Sequence, residues 1–233
     1  MKKTVLSPTE SLKRIEATPE HEEEIRELAC RILAKDKSEE ARSLCLQTFR
    51  NLENEKLIRL KTAGYTYFNL SELLRSLCLC SDILLGHTGL RIFCETEEIS
   101  AAACPKTLAT GFLNLLSNAA KFSPDGQIDV SLKEGNRQAV ITVRNRGSFD
   151  FEKDGFRKGL AAAGSAARLH KGSLFIGASS GHVAAVLSLS LYLKPTGKIE
   201  VPLFPDILTD EFSCVHIGLS DVLSSSSDGE FLV

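Results

Sequence analysis

Apolar positions take up a helical spacing soon after the start of the chain. Ile25, Leu28, Ala29, Ile32 and Leu33 fall at i, i+3, i+4, i+7 and i+8, one face of an amphipathic helix beginning near Glu20. "AKDKSEE" breaks that pattern, and Ser38 followed by two glutamates reads as an N-cap with an acidic first turn. A second helix follows with Ala41, Leu44, Cys45, Phe49, Leu52 and Leu60 near one face. Two antiparallel helices cannot bury both apolar stripes alone. Self-association into a four-helix bundle is the first expectation for this hairpin, and docking on its own domain the second.

Past "TAGYTYFN", Asn69 can cap a third helix, "LSELLRSLCLCSDILLG", which ends at Gly86. "GLRIFCETEE" alternates as a strand, and Pro105 opens a helix through "KTLATGFLNLLSNAAKF". "GQIDVSLKEGNRQAVITVRNRG" predicts a β-hairpin turning at Gly135-Asn136, with Ile141 and Val143 on one face and Val140, Thr142 and Arg144 on the other. An alanine-rich helix opened by Gly159 and two more strands, "SLFIGASSGHVAAVLSLSLYL", complete the pattern. Helices and hairpins segregated in this way predict an α+β chain: an N-terminal helical hairpin, then a two-layer α/β sandwich. The expected organisation is a flexible lead-in over 1–19, the hairpin over 20–64, the sandwich over 65–193 and a partly disordered extension over 194–233.

Composition removes several classes of function. A formal charge of −2 over 233 residues gives no electrostatic case for nucleic acid. The longest apolar stretches fall short of the ~20 residues a membrane span needs, and no signal peptide is visible. The expected place is the cytoplasm. Seven cysteines are scattered and odd in number. The one close pair, Cys78 and Cys80, has no second pair at metal spacing, so buried free thiols are expected rather than zinc.

"NLLSNAAKFSP" carries the candidate chemistry. Asn114 and Asn118 stand four apart on one helix face, and Lys121 extends their line at i+3. A polar seam inside an apolar helix either meets solvent or lines a site.

With the element order, this segment resembles the N box of sensor histidine kinases, whose catalytic domain belongs to the GHKL ATPase superfamily. The resemblance covers roughly residues 66–193. It implies a Bergerat-type mixed sheet with helices on one face and a cofactor, ATP with Mg2+. Asn118 would be the magnesium ligand, Asn114 would stand where related ATPases carry a catalytic base, and Lys121 would reach a phosphate. "VITVRNRG" sits at the adenine-reading box, which puts Asn145 and Gly147 at the base. "KGLAAAGSAARLHKGSL" is similar to the second glycine box and its helix, with Gly159, Leu160, Leu169, His170 and Gly172 matching. Gly159 and Leu160 would lie against phosphate, where a helix N-terminus attracts anions. His21, followed by Glu22, is the candidate phosphoacceptor.

The departures are specific. Asn145 replaces the usual aspartate, Phe149 and Arg157 replace glycines, and only "SFDFEKDGFRK" separates Gly147 from Gly159 where these kinases fold a longer lid. Lys153, Arg157 and Lys158 are candidate substitute phosphate contacts. His170 is expected to be structural, as a cation near a helix C-terminus. The resemblance therefore implies a histidine-kinase-like protein of a two-component or phosphorelay pathway, with a response regulator or kinase as partner and a homodimer built through the hairpin. Three activities follow from it: an ATP-dependent protein histidine kinase, an inactive adaptor or phosphotransferase, or an anti-sigma-factor-like kinase that phosphorylates serine on a partner. The tail "FSCVHIGLSDVL" is expected to fold back on the sandwich.

Overall fold

The computed structural model describes residues 6–148, 154–196, 210 and 212–225. Three helices lead: α1 (Pro8–Arg14), α2 (Glu22–Lys35) and α3 (Glu39–Arg59). There follow β1 (Thr66–Asn69), α4 (Leu70–Leu85), β2 (Arg91–Thr96), β3 (Ser100–Ala103), α5 (Pro105–Lys121), β4 (Gln127–Gly135) and β5 (Gln138–Arg146). The chain continues with α6 (Asp154–Leu169), β6 (Leu174–Ser179) and β7 (His182–Ser190), then two short helices, α7 (Cys214–Gly218) and α8 (Ser220–Ser225).

The sheet is mixed. Its five strands run β2-β4-β5-β7-β6, with β2 parallel to β4 and every other pair antiparallel. Alternation along β4 and β5 turns Ile128, Val130, Leu132, Ile141, Val143 and Asn145 inward, onto one layer of helices. Asn136 and Arg137 both have positive φ (49° and 64°), so the β4–β5 turn is centred one residue later than Gly135-Asn136. A two-stranded sheet, β1 with β3, stands apart from the five.

Helices α5 and α6 approach closely because their contact is built from residues with little or no side chain. A Cβ on Gly111 would lie 2.6 Å from that of Ala166. Ala163 and Ala167 join the main core, while Ala162 and Ala166 face Leu57 on α3. Gly172 permits a second close approach, since a Cβ there would sit 1.9 Å from the Ser188 carbonyl oxygen on β7.

Several expectations change. The lead-in contains a helix, α1, with Ser7 and Glu10 forming a reciprocal capping box, and its Leu12 is buried against α2 and α3. Leu60 is not on the buried face of α3; it follows the helix and is 43% exposed. The hairpin docks in cis: Ala41, Cys45 and Leu52 pack with α1 and α2, and Leu57 packs on α6. Gly159 does not open α6, which begins at Asp154, so its N–H lies more than a turn inside the helix. His170 is structural but not a cation. It is fully buried, its Nδ1–H donates to the Ala166 carbonyl at 2.7 Å, and its Nε2 accepts the Cys104 N–H at 2.9 Å. Burial pushes its pKa down, which favours the neutral ring that this pair of bonds requires.

The tail folds back as expected. Val215, Leu219 and Val222 enter the main core beside α5 and α4. All seven cysteines are free, and no metal-binding cluster exists among the described residues. No helix among them is long and apolar enough to cross a membrane.

Candidate functional site

The polar seam of α5 runs Asn114, Ser117, Asn118, Lys121, and it divides between two environments. Asn114, Ser117 and Lys121 face α3 and α8, whereas Asn118 faces the end of the sheet.

On the first flank the seam residues of α5 are all partnered. Asn114 is 2% exposed. Its Oδ1 accepts from Arg50 Nη2 at 3.2 Å and Asn54 Nδ2 at 3.3 Å; its Nδ2 donates to Asn54 Oδ1 at 2.6 Å and the Thr110 carbonyl at 2.9 Å. Ser117 Oγ accepts from Arg50 at 3.2 Å and donates to Asp221 Oδ1 at 2.8 Å. Arg50 and Lys121 both pair with the Asp221 carboxylate. Burial pushes the Asp221 pKa up, but the charge and hydrogen bond of Arg50, then those of Lys121, outweigh it and hold the carboxyl below its ordinary value. The anion on Lys121 is therefore the chain's own.

The second flank is nearly closed. Leu115, Asn118, Phe122, Val143, Asn145 and Leu160 line most of a cavity of about 30 Å³. That is room for one water; small-molecule sites run to roughly 300–1,000 Å³. Asn118 Nδ2 is buried there without a partner. Asn145 is 5% exposed, and its Nδ2 donates to the Phe122 and Arg146 carbonyls at 2.9 and 2.8 Å. Its amide thus ties β5 to the end of α5. Gly147 serves the same junction: its φ is +143°, and a Cβ would come within 2.3 Å of the Phe122 carbonyl oxygen. Gly159 lies over Asn114, whose Oδ1 a Cβ would meet at 3.0 Å.

The residues expected to hold Mg-ATP thus remain around α5, yet in this arrangement they do not fit it. Asn114 and Lys121 are saturated from within, Asn145 and Gly147 act as a strand–helix tie, and Asn118 alone keeps an unsatisfied amide. His21 lies at the start of α2, outside this network, with Nδ1 at 3.1 Å from both Thr18 Oγ1 and the Glu16 carbonyl. Lys158 is exposed. Phe149, Lys153 and the Arg157 side chain lie outside the described residues. Arg50, Asn54 and Asp221 were not anticipated from sequence. The i, i+4 spacing of Arg50 and Asn54, inside the apolar pattern of α3, is the one local signal that marks two of them.

No protein-family model and no curated protein sequence matches the chain. Solved structures do. Histidine kinase AdeS of Acinetobacter baumannii superposes with a TM-score of 0.55 at 14% identity, over 74% of this chain and 98% of that one. Full-length ShkA in complex with AMPPNP gives 0.57 at 16% identity, over 82% of this chain and 48% of that one. The nucleotide-free catalytic domain of histidine kinase ThkA gives 0.50 at 18% identity, over 55% and 97%. What these proteins share with the chain is a fold, that of histidine kinase catalytic domains, here with a mixed five-stranded sheet under helices.

Proposed function

Starting from a histidine-kinase-like fold, we propose that this chain is a signal-transduction protein of a two-component or phosphorelay pathway that docks a partner without turning over ATP. The partner class is a response regulator or a kinase. One observation carries the reading: the seam a nucleotide would need is bonded to Arg50, Asn54 and Asp221, and the base end retains about 30 Å³. Phosphoryl transfer depends on positioning and on neutralising phosphate charge. A lysine already neutralised by Asp221, in a chain where only eleven residues separate Gly147 from Gly159, supplies little of either. The hairpin's apolar face is buried within the chain, which favours a monomeric docking module over a hairpin-built homodimer.

Titration with Mg-ATP, followed by melting temperature, tests the reading. A ligand at 100 times its dissociation constant adds about 2.7 kcal/mol of stability; no upward shift is expected at millimolar Mg-ATP. A clear shift would overturn it, and labelling from γ-labelled ATP that is lost in His21→Ala would restore the kinase. Light scattering checks the oligomer, and a concentration-independent dimer would return the hairpin to its alternative role.

A further inference from the structure

A cavity lies beside Asn114 and shares no lining residue with the pocket of Asn118 and Asn145. It has a volume of about 470 Å³ and is walled by α2, α3, α5 and the turn into α7. That is the size of an ordinary small-molecule site. Ala29, Leu33, Phe49, Phe212 and Ile217 give it apolar walls. Phe49 and Phe212 meet edge to face, with ring centroids 5.8 Å apart.

The charge around it is unbalanced. Arg26 and Lys56 share Glu22, at 2.8 and 2.6 Å. Lys56 and Lys106 share Glu53, at 3.2 and 3.0 Å. Arg50 and Lys121 share Asp221. Among the described residues, five cations thus divide three carboxylates, and Arg26, Arg50 and Lys106 line the cavity itself beside Glu53. Arg50 also holds a buried Nε–H that meets no acceptor. This excess of cations over carboxylates, with Arg50 largely buried and Arg26 and Lys106 more than half exposed, favours an anionic group, and apolar walls favour a hydrocarbon or aromatic body beside it.

We propose that this cavity binds a small amphipathic monoanion, with its apolar body between the two phenylalanines and its head toward Arg50 and Lys106. The site touches the hairpin, the sandwich and the C-terminal segment at once, so its ligand holds the three together. The cavity shares Arg50, Asn54 and Asn114 with the seam but no lining residue with the pocket of Asn118 and Asn145.

The test uses the full chain and 1-anilinonaphthalene-8-sulfonate, an aromatic body with one sulfonate, as the probe. Expected is a saturable one-to-one fluorescence titration with a raised melting temperature. Decanoate should displace the probe, and decyltrimethylammonium should not. Cys30→Trp places a large ring at the exposed edge of the cavity and should weaken binding at least tenfold. Lys106→Glu, on a side chain 70% exposed, should weaken it several-fold while the melting temperature of the free protein is kept. Absence of saturable binding overturns the proposal. So does equal displacement by the cationic detergent, or probe affinity unchanged in Cys30→Trp despite a native melting temperature. A lowered melting temperature on binding would mean the probe prefers unfolded chain, and overturns it as well.

Discussion

The two flanks of α5 start from the same residue type and end differently. Asn114 and Asn118 are one helical turn apart, but Asn114 makes four hydrogen bonds with α3 and its own helix. Asn118 leaves Nδ2 buried and unpaired. On the first flank the polar atoms are scaffolding: they fix the hairpin and the C-terminal segment to the sandwich. On the second, an unsatisfied amide persists without a structural return. A buried polar group stabilises only when it is paired; unpaired, it costs its full desolvation. The contrast separates residues the fold now needs from one it merely tolerates.

Arg50→Ala should have the largest effect. It removes the donor to Asn114 and Ser117 and one of the two cations on Asp221, and breaking a largely buried pair costs about 3 kcal/mol. Urea denaturation measures it as a lower midpoint at constant slope. Asn114→Ala comes next, at about 2 kcal/mol, because Asn54 Oδ1 and the donors of Arg50 and Asn54 lose their partner. Equal melting curves for Asn114→Ala and wild type would dissolve the comparison.

Third is a pH effect. The Asp221 pKa is held below its ordinary value in the folded chain. Its contribution is therefore complete above the unfolded-state pKa of about 3.9 and is lost as pH falls through the lower folded value. Asp221→Asn should be less stable than wild type at neutral pH, with the gap narrowing below about pH 4, read from denaturation at a series of pH values. The smallest effect is expected on the other flank. Asn118→Leu deletes an unpaired amide and fills the small cavity, so stability should stay within about 0.5 kcal/mol of wild type or rise. A loss comparable to that of Asn114→Ala would show that Asn118 is held by the fold after all.

Much of the architecture is legible where periodicity is local. The strands of the β4–β5 hairpin alternate cleanly, and α2, α4 and α5 carry apolar faces. The small β1–β3 sheet is not, because "SAAA" has no strand signature and pairs only through a long-range contact. Helix α1 was readable in principle: Ser7-Pro8-Thr9-Glu10 is a capping box with proline in the first turn. The seam itself could be picked out, since asparagines among leucines are conspicuous. Its partners could not. Asp221 lies 100 residues from Lys121 and 104 from Ser117, a distance no local pattern encodes. Gly159 shows the reverse error: the residue was noticed, but its place depended on where α6 begins.

The packing of Val215, Leu219 and Val222 beneath α5 has a consequence for biosynthesis. The main core draws on residues from Leu70 to Val222, so it stays incomplete until nearly the last of these has left the ribosome. Closing contacts so remote along the chain is slow compared with forming local helices. During translation the α5 seam would wait for its cover, which makes this a chain that finishes folding only after its synthesis has passed the C-terminal helices.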